Sequence, residues 1–296
     1  MFIVRDTRKI GEILDEGSED DLKNLKLSRR KGEFREGVIT SLCRSSTANK
    51  LRKTEVLNLY ANQLTSVKNI HFGFSTGCLR DLNLGSNLLS ELPDELAQVK
   101  TLEKLWLDDN HLAAFPSCVL ELENLVLLRL SKNRLTALPP QVRMLTKLAD
   151  LCVDNNELAE VPEALNDLLG LTNLNLRQNS LNALPDLGCL VRLKTLAVSS
   201  NQLEQAPPGL ERLVCLEGLY LNGNKLTEFP VGALELRELA VLNVANNAIQ
   251  GPLPPTVVEK WGGVNERGTA LKSDGEIQVT VRGNPCTAPS TVLAVE

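Results

Sequence analysis

The chain has 296 residues, of which 43% are hydrophobic and 23% are charged, a balance typical of a folded protein and unlike that of a disordered one. Its net charge of -5 argues against a general attraction to nucleic acid or to anionic membranes. No stretch reaches the run of about 18 apolar residues that a transmembrane helix needs.

The first 53 residues predict a helical N-terminal cap. Ser18 and Asp21 have the spacing of a helix-start box, and residues 35–45 form a second short helical pattern. Three leucines follow the first box: Leu22, Leu25 and Leu27. The acidic segment 1–21 has no long apolar centre and therefore predicts no signal peptide. Basic residues of 23–35 favour a solvated face of the cap over a nucleic-acid site.

Residues 54–258 contain nine copies of the unit L-x-x-L-x-L-x-x-N-x-L. The asparagine of this unit, called here the marker asparagine, recurs at intervals of 22 to 25 residues, most often 23. The markers are Asn62, Asn87, Asn110, Asn133, Asn156, Asn179, Asn201, Asn224 and Asn247. A fixed period of this kind predicts a solenoid, in which each unit stacks on its neighbours.

The spacing within one unit predicts its structure. Leu105 and Leu107 are two residues apart, the strand period, so both point inward from a parallel sheet formed by successive units. The marker asparagine then pairs with backbone groups where the chain leaves the strand. The second half, exemplified by 112–119 with Pro116, predicts a short turn or 3-10 helix on the outer side. The strands are more closely spaced than the outer segments, which predicts curvature with the sheet on the concave face.

The period breaks after Asn247, and residues 259–296 predict an insertion, a terminal strand and a C-terminal cap. The next candidate marker is Asn284, with Val279 and Val281 at the two inward strand positions. Residues 255–276 are interpreted as an inserted loop or helix.

The repeat resembles the leucine-rich repeat family, in particular an intracellular subclass with Ras-suppressor-like, Shoc-type and Scribble-type repeats. The resemblance implies an α/β solenoid shaped as a curved horseshoe, with a parallel sheet on the concave face and short turns or 3-10 segments on the convex face. Members of the subclass typically scaffold small-GTPase or phosphatase signalling, or cell-polarity complexes.

The sequence contains no recognisable catalytic or metal-binding motif, so we expect no enzyme activity and no cofactor. The two histidines, His71 and His111, belong to no such motif. The glycine-rich segment 71–77 lacks the Gly-Lys-Ser/Thr of a phosphate loop. The seven cysteines are odd in number and form no Cys-x-x-Cys pair, and no asparagine lies in a glycosylation sequon. Both observations favour the reducing cytoplasm over an oxidising compartment.

Positions 3, 5 and 7 of each unit point outward from the strands, and they carry the candidate binding site. Tyr60, Trp106 and Tyr220 occupy such positions, and the chain has only 2 tyrosines and 2 tryptophans. Tyrosine, tryptophan and arginine are frequent interface anchors. Mixed charges around them favour a protein partner over a polyanion. The predicted protein-binding residues are Tyr60, Lys104, Trp106, Asp108, Leu127, Arg129, Cys152, Asp154, Arg177 and Tyr220.

These features predict a non-catalytic scaffold or adaptor that binds a protein on the concave face, in intracellular signalling. One alternative is a structural subunit of a larger ciliary or organellar assembly, associated with the cytoskeleton. Another is a substrate-receptor-type adaptor, which would require an F-box-like motif within 1–53. An enzyme would require a catalytic module of roughly 100–150 residues outside the repeats. No nucleic acid, membrane span or small-molecule substrate is expected.

Overall fold

The computed structural model describes residues 23–27, 51–68, 70, 77–257, 269–271 and 278–285. The chain divides into two compact units, Met1–Leu151 and Cys152–Glu296. The predicted strand half of the repeat unit is present in both, and each is described below by itself.

Unit 1 is a stack of short parallel strands. Each strand has three residues and pairs in parallel with the next. The strands are β1 (Asn24–Lys26), β2 (Val56–Asn58), β3 (Asp81–Asn83), β4 (Lys104–Trp106) and β5 (Leu127–Arg129). The leucine at the centre of each strand is buried, while the residues on either side of it are half-buried or exposed. This alternation follows from the strand period of two and leaves one face of the strands open. The following strand, β6 (Asp150–Cys152), contains the boundary between the units.

Unit 2 continues the same pattern and ends in a small antiparallel addition. Its regular strands are β7 (Asn173–Asn175), β8 (Thr195–Ala197), β9 (Gly218–Tyr220) and β10 (Val241–Asn243). These four strands pair in parallel. A further strand, β12 (Gln278–Thr280), pairs in parallel with β10, and β11 (Thr269–Leu271) pairs antiparallel with β12.

Most of the described return segments form 3-10 helices, as the Leu-Pro step predicts, but the segment between β7 and β8 does not, although it contains Leu184–Pro185. Proline has no backbone N–H and a fixed φ, so it starts a helix but does not continue a strand. Of the six 3-10 helices that the structure describes in full, five have a proline at the N-cap position. The helices are Asp94–Gln98, Ser117–Glu121, Pro140–Met144, Glu163–Asp167, Leu210–Arg212 and Val231–Glu235.

The marker asparagines are hydrogen-bonded to the backbone, and all of them are buried except the half-buried Asn179. Asn201 is typical: its Nδ2 donates to the carbonyl oxygens of Leu176, at 2.9 Å, and Val198, at 3.0 Å. Its Oδ1 accepts from the backbone N–H of Leu181 at 3.1 Å. One side chain therefore joins its own repeat to the preceding repeat and pairs backbone groups that would otherwise be buried without partners.

The helix predicted to lead into Leu22, Leu25 and Leu27 is wrong at its C-terminal end, because Leu25 lies in strand β1. Leu25 and Leu27 are each 2% exposed, and the Leu27 N–H donates to the Asn58 carbonyl. The physical reason is visible in the sequence: 22–27 is the strand half of the repeat unit, with Arg30 where the marker asparagine would stand. The other predicted cap elements, including 35–45, lie outside the described residues, as does most of the glycine-rich segment 71–77.

The C-terminal segment contains more strand than was predicted. Residues 269–271, assigned to a loop or helix from the sequence, form β11. Val279 and Val281 are buried, at 0% and 5% exposure. Asn284 makes marker-type bonds, its Nδ2 donating to Val244 O at 2.9 Å and to Val281 O at 2.7 Å. Within the described residues, no helix has the length and apolar character required to cross a membrane.

Candidate protein-binding face

The open side of the strands in each unit, called here the strand face, carries the outward positions 3, 5 and 7. In β4 the buried Leu105 is flanked by the exposed Lys104 and the half-buried Trp106. In β5 Leu127 and Arg129 flank the buried Leu128 in the same way. All ten predicted residues occupy outward positions, six of them in unit 1 and four in unit 2.

Three side chains form a row across unit 1. The Trp106 Nε1–H donates to Asp81 Oδ1 at 3.0 Å. On the other side, the Arg129 guanidinium lies over the Trp106 ring, with Cζ 5.1 Å from the ring centroid. Trp106 and Arg129 are register partners in β4 and β5, so the repeat period itself brings them together. The indole is thus fixed by a hydrogen bond at its edge and by a cation–π contact at its face.

Asp81 was not among the predicted site residues, although it occupies an outward position. Burial raises the pKa of its carboxyl, more than the Trp106 hydrogen bond and the charges of Lys104 and Lys26 lower it. Its Trp106 bond positions the indole on the strand face. The signal available in the sequence was an acidic residue on the strand adjoining the tryptophan.

Tyr60 lies against the next repeat of unit 1. A Cβ on Gly85 would lie 3.2 Å from Tyr60 Cδ2 and 3.4 Å from the Asp108 carbonyl oxygen. Glycine at this position therefore gives the phenol ring room to lie across the neighbouring strand end. Tyr60 is 37% exposed and remains open to a partner.

Asp108 stabilises a turn in unit 1. Its Oδ1 accepts the backbone N–H of Ser131 at 3.0 Å. This contact gives the Asp108 carboxylate a structural role.

Unit 2 has a second arginine–aromatic stack. The Arg177 guanidinium lies over the Tyr220 ring, with Cζ 4.7 Å from the centroid, although strand β8 lies between β7, which Arg177 follows, and β9, which contains Tyr220. The intervening residue on β8 is the small Ala197, and a Cβ on Gly218 would lie only 3.1 Å from Tyr220 Cε2. Small residues at these two positions let the ring lie along the sheet and reach Arg177.

Asp154 and Cys152 differ in their accessibility. The Asp154 carboxylate is half-buried and accepts hydrogen bonds from the side-chain amides of Asn175, at 2.9 Å, and Asn155, at 2.7 Å. Cys152 is only 2% exposed, and the Asn173 amide lies 3.7 Å from its sulfur. Its thiol therefore presents almost no surface to a partner.

The described residues also include potential metal ligands and thiols. Their histidines, cysteines and carboxylates form no group of three that could hold a metal ion. The five described cysteines are free thiols. One of them, Cys118, is buried, and burial raises the pKa of its thiol to about 12, so it is neutral rather than a nucleophilic thiolate at pH 7.

The parallel strands, the 3-10 return segments and the ladder of marker asparagines are together matched in solved structures. The chain is similar to a leucine-rich repeat protein of Leptospira interrogans, LIC12759, with 27% identity and a TM-score of 0.75. The match covers 96% of this chain and 78% of that one. The chain is a leucine-rich repeat protein.

Two further solved structures share the leucine-rich repeat fold with this chain. It resembles the Arabidopsis receptor kinase HAESA, solved with the peptide hormone IDA and the co-receptor SERK1, at 28% identity and a TM-score of 0.60. That match covers 71% of this chain but only 36% of HAESA. An internalin of Listeria monocytogenes shares the fold at 16% identity, with a TM-score of 0.60 over 95% of this chain and 89% of the internalin. No model of a protein family matches the sequence, and no curated protein matches it.

Proposed function

We propose that this leucine-rich repeat protein is a non-catalytic scaffold or adaptor that binds a protein partner on its strand face. The observation that carries the proposal is the row formed by Asp81, Trp106 and Arg129. A tryptophan and an arginine held in place on an open face lose little conformational freedom on binding, and these two residue types are the commonest interface hot spots.

The similarity to HAESA supports a binding role, because that leucine-rich repeat protein was solved together with a peptide hormone and a co-receptor. The composition of the strand face also supports it. Lys104, Leu127 and Tyr60 surround the row in unit 1 with a mixture of charged, aliphatic and aromatic surface, as interfaces between proteins have.

We further propose that the protein acts in the cytoplasm, in intracellular signalling. The five described cysteines are free, and three of them, Cys78, Cys189 and Cys215, are exposed. Exposed thiols persist where the compartment is reducing. The absence of any glycosylation sequon in an asparagine-rich sequence agrees with this location.

The test compares two charge reversals in unit 1. Arg129→Glu places a carboxylate beside Trp106 on the strand face, whereas the matched control Arg143→Glu changes an exposed arginine in the 3-10 helix Pro140–Met144. Full-length protein is purified by affinity from its native cells after cross-linking, and partners are quantified by mass spectrometry. We expect Arg129→Glu to reduce recovery of the stoichiometric partners by about tenfold or more, and Arg143→Glu to leave it unchanged.

Circular dichroism and thermal melting establish that both variants are folded. Equal recovery of the partners by the two folded variants would contradict binding at the strand face of unit 1. The variant Trp106→Ala provides an independent check, since it removes the indole without adding charge.

A further inference from the structure

The strand face of unit 2 is uncharged along β7 to β10 except at one position. Of the outward residues on these four strands, Arg177 alone carries a charge. Four of the others are asparagines: Asn173, Asn175, Asn222 and Asn243. The remaining positions hold Thr, Ser, Tyr, Gly, Ala and Val. The strand face of unit 1 differs, because Asp81, Lys104 and Asp108 accompany its Arg129.

Arg177 is held in place but is not neutralised. Its guanidinium stacks on Tyr220, and its Nε is buried with no hydrogen-bond acceptor. Among the residues that the structure describes, no carboxylate lies within ion-pair distance of this guanidinium. The carboxylate of Asp154 in the same unit is engaged by the side-chain amides of Asn155 and Asn175.

A buried donor without an acceptor is unfavourable, and a cation in a neutral surround has an unused electrostatic potential. The positive charge is compensated by a carboxylate, which matches the planar fork of a guanidinium and can accept two hydrogen bonds from its N–H groups. Ala197 and Gly218 are small residues, so they leave room for a ligand to approach the Arg177–Tyr220 stack. The asparagine amides nearby can donate to and accept from a peptide backbone.

We infer that the strand face of unit 2 binds an extended peptide segment of the partner through a carboxylate that Arg177 receives. The inference rests on the proposed function and specifies the chemistry of the partner. Four strands about 4.8 Å apart span roughly 14 Å, which an extended segment of about four residues crosses. The carboxylate is the side chain of an Asp or Glu residue of that segment.

The experiment uses a displayed library of random twelve-residue peptides, selected against the full chain. We expect the selected peptides to be enriched in Asp or Glu at one position and depleted in Lys and Arg. Individual peptides are then synthesised and their affinities measured. Arg177→Gln should weaken them by about thirtyfold or more, since it leaves a carboxylate without its cation. Arg177→Lys should weaken them less, because the charge is kept and the fork is lost.

Two control variants separate the inference from the proposed function. Arg192→Gln removes an exposed arginine of unit 2 that precedes β8, and it should leave the affinities unchanged. Asn243→Arg puts a large side chain on the strand face away from Arg177, and it should block binding. If Asn243→Arg abolishes binding of the peptides but Arg177→Gln leaves their affinity unchanged, the carboxylate inference is overturned. Binding at the strand face is then still supported. Peptides indifferent to both variants, or no binding peptides at all, would overturn both for this unit.

Discussion

The marker asparagine combines donors and an acceptor in a side chain short enough to reach three backbone groups. In unit 2, Asn201 bonds to Leu176, Val198 and Leu181 and is 7% exposed. Aspartate would lack the amide donors, and leucine would leave all these groups unpaired. Each marker is therefore a structural residue. Its repetition along the chain indicates the fold but does not indicate which partner the protein binds.

The contribution of one marker can be measured by truncation. Asn201→Ala leaves several buried backbone groups unpaired, and at about 1–3 kcal/mol for each group, partly relieved by entering water, we expect a loss of about 3 kcal/mol in the free energy of unfolding. The matched control is Asn182→Ala, which removes an exposed asparagine from the same unit and should change stability by less than about 0.5 kcal/mol. Urea denaturation measures the free energy of unfolding of both variants. Equal losses of this free energy would show that the hydrogen bonds of Asn201 do not stabilise the fold.

Residue type and period were enough to predict part of the candidate site. Trp106 and Arg129 are 23 residues apart, one period, so their position on adjacent strands follows from the sequence. Arg177 and Tyr220 are 43 residues apart and lie on strands separated by β8, and their contact depends on the small residues between them. The hydrogen bond of Asp81 to Trp106 likewise depends on the side-chain conformations, which no pattern specifies.

At the scale of the repeat element, the residue before each marker has a left-handed conformation. Its φ lies between 52° and 59° at eight non-glycine positions next to regular markers, among them Asp109, Lys132 and Gln178, and Gly223 occupies the same position with a φ of 69°. This conformation lets the chain turn out of the strand so that the marker side chain faces inward. It is unfavourable for residues with a Cβ by roughly 1–2 kcal/mol, and packing of the repeats must offset that cost.

Substitutions at this position should have opposite effects depending on the resident residue. Gly223→Ala adds a Cβ at ordinary contact distance from Ser200, so the backbone conformation is the main cost, and we expect a loss of about 1 kcal/mol. Lys132→Gly should not lower stability, because glycine tolerates the positive φ that lysine now adopts. The urea midpoints of the two variants test this explanation. A lower midpoint for Lys132→Gly together with an unchanged midpoint for Gly223→Ala would refute it.

At the scale of the whole molecule, stability is distributed through contacts between neighbouring repeats. In unit 2 each strand hydrogen-bonds only to the strands beside it, and β12 covers β10. The last regular repeat would otherwise present Leu242 and Val244, both buried, at an open edge. The terminal strand is therefore a cap in the sense that solenoids require, formed from a segment that departs from the repeat period.

Damage to this cap should spread from the end of unit 2 inward. Val279→Asp buries a charge at a position with 0% exposure, and we expect a loss of about 4 kcal/mol or more. In hydrogen exchange, amides of β10 and β9 should lose protection more than those of β7. The control Thr280→Asp puts the same side chain on the adjacent, half-buried outward position and should have a small effect. A uniform loss of protection from β7 to β10 would contradict a nearest-neighbour stack.

The sequence by itself determined the class of fold, the strand positions and the direction in which the side chains point, since all three follow from the period of the leucines and markers. It also placed the aromatic residues on the open face. Tertiary structure decided what local pattern could not. Residues 24–26 join the sheet as β1 because burying Leu25 and Leu27 against the first regular repeat outweighs a helical spacing of three. Residues 269–271 become a strand because β12 offers an edge to pair with. Arg177 meets Tyr220 because Ala197 and Gly218 leave the space between them open, a relation that exists only when the repeats are stacked.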